Sequence, residues 1–212
     1  MLEADSPILL SDPRVLAVPV LGHDEPLVTL DPSYGPARAV VRAGLAARLD
    51  AARLLLPAGI GLRVAEGHRD VPGQLAIIAQ YSAEICAHHP GISADELDRL
   101  TSRFVAPLAV APHVAGAAVD LTLVDACGED LDLGTPIDAT PEQSAGRCYF
   151  GAEVDPDARA HRDLLAAVLG SAGLVNYPTE WWHWSYGDRY WALVTGAPAA
   201  LYGPVGTAEV AA

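Results

Sequence analysis

The sequence predicts an α+β fold, a single domain in which helices pack on a small, mostly antiparallel sheet. Segments whose apolar residues recur at the helical interval alternate along the chain with short segments of period two. Hydrophobic residues make up 51 % of the 212 and charged residues 19 %, a balance that supports a folded chain and, at this length, one core.

From Pro36 to Leu56 the apolar positions Val41, Leu45, Leu49, Ala52 and Leu56 form a stripe, with Arg38, Arg42, Arg48 and Arg53 on polar positions, so a helix is expected there. Pro57 and Gly59 end it, and Gly61 to Ala65 reads as a short strand that delivers Glu66-Gly67-His68-Arg69. A second helix is expected from Val71 to His88, with Leu75, Ile78 and Ser82 to Ile85 along one side, before His89-Pro90-Gly91 breaks it. Ser93-Ala94-Asp95-Glu96 has the capping-box pattern and opens a third helix to about Arg103. Ala117 to Val124 alternates as a strand with one polar face. Asp125 to Phe150 lacks either period, and a loop of that length more often carries function than not. Asp157 to Ser171 is helical and stops at Gly173; Leu174 to Tyr177 and Trp181 to Tyr186 read as β segments.

Charge excludes several functions. All basic residues are Arg, 13 against 27 acidic residues, for a net charge of −14, so the chain repels polyanions, and neither a nucleic-acid nor a membrane-surface partner is expected. Without Lys it has neither the phosphate-loop amine nor a Schiff-base nucleophile, and no Gly-x-Ser-x-Gly elbow occurs. The longest uncharged run, Phe104 to Val119, is interrupted by Pro107, Pro112, His113 and Gly116 and is no membrane span. Met1-Leu2-Glu3-Ala4-Asp5 carries acids where a secretory signal carries bases, which suggests a cytoplasmic location. Cys86, Cys127 and Cys148 form no metal-type pair and are expected to be small buried residues.

Two segments carry chemistry that a core histidine does not need. His113 is followed seven residues later by Asp120, and Glu180-Trp181-Trp182-His183 places a carboxylate three residues before a histidine. Two His and one Asp make a three-ligand set for a catalytic zinc, which keeps one position open for water. Glu180 is then spare to take a proton from that water, whose pKa the metal lowers to about 7. The spacing makes a geometric demand. Residues seven apart on a regular strand face opposite ways, so His113 and Asp120 share an ion only if the chain bends at Ala115-Gly116-Ala117. Glu180 and His183 likewise require a bulge or a strand end near Trp181. The four Trp between Trp181 and Trp191 are expected to pack around such a site, and Glu129, Asp130 and Asp132 to be a solvated face.

The run from His113 to Leu123, in which His, Gly116, Ala118 and Asp120 hold fixed positions, resembles the VanX-type zinc D-alanyl-D-alanine dipeptidases, as does Glu180-x-Trp182-His183. The resemblance covers roughly 45–191, within a single metallopeptidase domain of 1–212, leaving an N-terminal extension of 1–35 and a C-terminal tail of 195–212. It implies zinc on His113, Asp120 and His183, with Glu180 as general base. Glu66-Gly67-His68-Arg69 looks like the family's acid-Gly-Tyr-Arg segment, implying that Arg69 stabilises the oxyanion. Gly134-Thr135-Pro136-Ile137-Asp138 is similar to the loop whose Asp pairs with the substrate ammonium, a role carried to Asp138. Ala111, Pro112 and His68 depart from the family pattern and bear on substrate choice. The implied activity is hydrolysis of small dipeptides with a C-terminal D-residue. A D,D-carboxypeptidase, a peptidase for another small metabolite, and a non-catalytic zinc-containing peptide-binding module are the alternatives.

Overall fold

The structure is a computed structural model that describes residues 7–205; the acidic Met1–Asp5 run and the last part of the 195–212 tail lie outside the described residues. A short helix, α1 (Pro13–Ala17), is capped by the Asp12 carboxylate, which accepts from the Arg14 N–H. β1 (Leu27–Thr29) and β2 (Val40–Arg42) pair antiparallel as a ribbon, and α2 (Ala43–Arg53) follows β2 directly. The helix expected from Pro36 therefore begins seven residues later, because the β-branched Val40-Val41 pair is taken as a strand by β1. Its stripe is real: Val41, Leu45, Leu49 and Ala52 are all fully buried.

The main sheet has the order β3 (Gly61–Glu66), β4 (Ala118–Val124), β6 (His183–Ser185), β5 (Val175–Asn176), with every pair antiparallel. The expected small antiparallel sheet with helices packed on it is the observed architecture. α2 and α6 (Pro156–Ser171) cover one face, where Leu45, Leu49, Leu165 and Leu169 pack with Val119, Leu121 and Leu123 of β4. The polar side of β4 is enclosed: Asp120 and Thr122 are buried, and Asp120 lines a cleft.

α3 (Val71–His88) has the expected bounds, but its buried positions are Gln74, Tyr81 and Ile85, while Leu75 is exposed. α4 (Ala94–Thr101) packs on it. Ser93 Oγ accepts from the Glu96 N–H at 3.3 Å, yet the reciprocal half of the expected capping box is missing, because Glu96 binds Arg99 through both oxygens at 2.7 Å. A complete box stands at α5 (Pro141–Ser144), between Thr140 and Gln143, inside the segment expected as one long loop. Cys86 and Cys127 are exposed and only Cys148 is buried: Cys86 follows the buried Ile85 onto the outer side of α3, and Cys127 lies in a surface turn. Glu129 and Asp132 do lie at the surface, and Asp130 pairs there with Arg63 at 2.7 Å.

α7 (Arg189–Thr195) packs on α1. Leu10 and Val15 join a buried cluster with Ala106, Val110, Tyr177 and Tyr190, so the segment before β1 is part of the packed body. Among the described residues no helix is long and apolar enough to cross a membrane.

Candidate active site

His113 sits in a turn ahead of β4 rather than on it, and Gly116 makes that turn with φ +67. The positive φ favours glycine there, and a Cβ would lie 2.5 Å from the Leu27 Cδ2 methyl, which would have to move aside. This is the bend that the seven-residue spacing required. Asp120 and His183 face each other directly across the β4–β6 ladder. Glu180 precedes β6 in a turn closed by its N–H to Tyr177 O at 2.9 Å, so the strand end, and not a bulge, brings it onto the side of His183.

The three expected ligands converge. His113 Nε2 lies 3.1 Å from His183 Nδ1 and 3.3 Å from Asp120 Oδ2, and His183 Nδ1 lies 3.0 Å from Asp120 Oδ1. Donors about 2 Å from one ion at tetrahedral angles are about 3.3 Å apart, so the set fits a single divalent cation. His113 Nδ1 donates to Gly67 O at 2.7 Å, which leaves the Nε2 lone pair facing the centre. Gly67 is held close: a Cβ there would meet Val40 O at 2.5 Å. Glu180 Oε2 stands 3.8 Å from His183 Nδ1, beside the triad and outside it.

Burial and charge separate the two carboxylates. Both Asp120 and Glu180 are buried, at 4 % and 6 % exposure. Burial pushes the Asp120 carboxyl up, but the charge and hydrogen bond of His113, then those of His183, outweigh it and hold it below the usual range. At Glu180 the opposing charge of Arg69 is outweighed. Burial, followed by repulsion from Asp120 and Asp138, pushes it well above the usual range. A buried carboxyl of raised proton affinity beside an acidified water is the pairing that metal-assisted hydrolysis uses.

Arg69 lines the same cavity. Its Nε donates to Glu66 Oε1 at 2.7 Å, a second nitrogen donates to Glu66 Oε2, and Nη1 donates to Gln74 Oε1 at 3.0 Å. The β3–β4 register slips between Val64 and Glu66, which brings Glu66 opposite Asp120. Asp138 stands at the rim with φ +63. The residue is exposed, but enclosure of its carboxyl by surrounding protein atoms, then the charges of Asp120 and Glu66, raises it to about 6. Pro112 lines the cavity, whereas Ala111 is packed into the Leu10 cluster. The His68 ring is half-buried outside the cavity lining; its Nε2 has no hydrogen-bond partner, and burial lowers its pKa.

All six site residues expected from the sequence, His113, Asp120, His183, Glu180, Arg69 and Asp138, line one cavity of about 360 Å³. Trp182 lines it too, and Trp181 and Trp184 pack in the core beneath, as the aromatic run suggested, but Trp191 stands elsewhere, its ring against Tyr186 and its Nε1 donating to Gly173 O at 3.0 Å. Sequence reasoning missed Gln74, a polar residue on the buried side of α3, and Leu10, far from every motif.

The family described as D-ala-D-ala dipeptidase matches residues 37–195. A D-alanyl-D-alanine dipeptidase of Synechocystis sp. (strain ATCC 27184 / PCC 6803 / Kazusa) is 30 % identical over 176 residues, 72 % of this chain and 71 % of that protein. A D-alanyl-D-alanine dipeptidase of Escherichia coli (strain K12) is 39 % identical over 71 residues, 34 % of this chain and 35 % of that one. Among solved structures, VanYB in complex with D-alanine-D-alanine superposes with a TM-score of 0.49 at 18 % identity, covering 86 % of this chain and 93 % of that chain.

Proposed function

The chain belongs to the D-ala-D-ala dipeptidase family of metallopeptidases, and from that premise we propose that it hydrolyses small dipeptides with a C-terminal D-residue, using zinc held by His113 Nε2, Asp120 and His183 Nδ1. The observation that carries the proposal is the convergence of these three donors with Glu180 standing free beside them.

Zinc, when bound, supplies an acidified water and polarises the scissile carbonyl. The chain's own groups do the rest. Glu180, whose buried carboxyl has a raised proton affinity, takes the proton of the attacking water and passes it to the leaving amine. Arg69, fixed by Glu66 and Gln74, presents its remaining N–H groups to the developing oxyanion, a preorganised cation that does not reorient during reaction. Asp138 at the rim pairs with the free ammonium of the dipeptide, which selects against blocked peptides. The partner is therefore a small dipeptide, and we place the enzyme in the cytoplasm; cell fractionation followed by an activity assay tests that location.

Glu180→Gln tests the mechanism. It is expected to retain zinc at one equivalent and to lose about 10²- to 10⁴-fold in turnover. Turnover equal to the parent's overturns the mechanism. N-acetyl-D-Ala-D-Ala tests Asp138: it is expected to be a poor substrate, and equal hydrolysis of free and acetylated dipeptides removes Asp138 from the scheme.

A further inference from the structure

The cavity is larger than this chemistry needs. Beyond Arg69 and the metal set it continues along α3, whose Gln74, Ile77, Tyr81 and Glu84 face it. At about 1.5 Å per residue, Gln74 to Glu84 spans about 15 Å, whereas an extended dipeptide spans about 7 Å. A volume of about 150 Å³ already holds a benzene ring, and this cavity measures about 360 Å³.

Part of the lining is hydrocarbon. Ile77 comes from α3, Phe104 and Val105 follow α4, and Leu10 closes the space from the N-terminal segment. Leu10 is fixed in place, since its N–H donates to Tyr177 Oη at 3.1 Å, and that hydroxyl donates to Ser102 O at 2.5 Å. Ser11 Oγ lies 2.7 Å from Ser102 Oγ and fastens the next residue. Leu10 lies outside the 37–195 family match, whereas Ile77, Phe104 and Val105 lie within it.

We infer that the substrate carries, beside its scissile bond, an apolar side chain larger than methyl, received by Leu10, Ile77, Phe104 and Val105. The inference rests on the peptidase reading above and names its substrate class. The two methyls of D-Ala-D-Ala leave most of this wall uncovered, and each further buried methylene strengthens binding roughly fourfold. A longer peptide backbone is the competing occupant, since Gln80, Glu84, Thr140 and Gln143 line the same cavity and can meet its N–H and C=O groups; against Leu10, Ile77, Phe104 and Val105 those groups find no partners, and the tripeptide arm of the test decides between the two. Pro112 adds a further apolar surface beside His113.

The test compares D-Ala-D-Ala, D-Ala-D-Leu, D-Leu-D-Ala and D-Ala-D-Ala-D-Ala with the zinc-loaded full chain. Hydrolysis is one readout, and tryptophan fluorescence titration of the Glu180→Gln variant, which reports through Trp182, is the other. One D-Leu dipeptide is expected to exceed D-Ala-D-Ala at least tenfold in kcat/KM and in affinity. Ile77→Trp, which fills the stretch, is expected to cut that ratio at least tenfold, and Leu10→Ala to shift it as well. D-Ala-D-Ala matching or surpassing both D-Leu peptides, a ratio unmoved by Ile77→Trp, or preference for the tripeptide overturns the inference. Cleavage without such ranking leaves the peptidase reading intact, whereas ranked binding without any cleavage removes that reading and keeps the side-chain pocket.

Discussion

Gln74 Oε1 accepts a 3.0 Å hydrogen bond from Arg69 Nη1, while Gln74 Nε2 donates to Ala106 O at 2.7 Å. Gln74 is 1 % exposed, so its amide is held between a main-chain carbonyl and the guanidinium. Glu66 grips the opposite side of the same guanidinium. A long, rotamer-rich cation thus stands in one orientation at the wall of the cleft.

Loss of the Gln74 contact is expected to act through Arg69. A hydrogen bond to a charged group contributes about 1.5–3 kcal/mol, so Gln74→Leu is expected to lower kcat roughly tenfold or more with little change in KM. In an Arg69→Ala background the same substitution is expected to have little further effect. Steady-state kinetics on the four proteins of the cycle decides the matter; full additivity of the two losses means that Gln74 acts elsewhere.

The Glu180 carboxyl costs the metal-free fold stability at neutral pH. Its folded pKa is raised by burial, then by Asp120 and Asp138, above the ordinary value of the unfolded chain. The stability contributed by the neutral carboxyl is fully present below the unfolded value and is lost as pH rises through the folded one. Glu180→Gln removes that dependence. Metal-free Glu180→Gln is expected to melt at least about 2 °C higher than the metal-free parent at pH 8, the shift that roughly 1 kcal/mol produces in a chain of this size, with the gap closing towards pH 4. Scanning calorimetry across pH measures it, and a gap that widens on acidification contradicts the sign.

Asp138 is expected to set the acid limb of substrate binding. Its carboxyl, raised to about 6 by the protein atoms enclosing it and by Asp120 and Glu66, pairs with an ammonium only when ionised. KM for a free dipeptide is therefore expected to fall roughly tenfold between pH 5 and pH 7.5 as the carboxylate forms. Asp138→Asn is expected to flatten the profile and raise KM throughout. An unchanged pH profile in that variant excludes Asp138 from ammonium recognition.

The candidate metal centre was legible because its signal lies in residue type and spacing: His113, Asp120, Glu180 and His183 are short-range pairs, and Gly116 announced the bend between the first two. The sheet was legible where period two is strong, as in β3 and β4. What escaped the sequence depends on contacts between distant segments. Val40 and Val41 read as helix until β1 is there to pair with them. Gln74 interrupts an apolar stripe, so hydropathy points to Leu75, one position away and exposed. Leu10 reaches the cleft only through the Tyr177 hydroxyl, far along the chain.

Arg162 escaped for the same reason, and it carries the last prediction. In a helix of apolar stripe it reads as a surface residue, yet it is 0 % exposed. Its guanidinium donates to the carbonyls of Leu133 at 2.8 Å, Arg147 at 2.8 Å, Tyr149 at 2.6 Å and Phe150 at 3.2 Å. Burial, then the charge of Arg159, pushes its pKa down to about 10. These carbonyls flank the loop that carries Asp138, so one buried cation joins the loop's two ends. Arg162→Met leaves the Leu133 and Arg147 carbonyls without this donor, while Tyr149 O keeps the Ala152 N–H and Phe150 O keeps Arg159. The substitution is expected to cost at least about 3 kcal/mol in urea unfolding. Arg162→Lys, with fewer donors and no planar fork, is expected to recover only part of this. The loosened loop is also expected to raise KM for a free dipeptide more than it lowers kcat. Wild-type stability with an unchanged KM in Arg162→Met means that the loop is held by its other contacts.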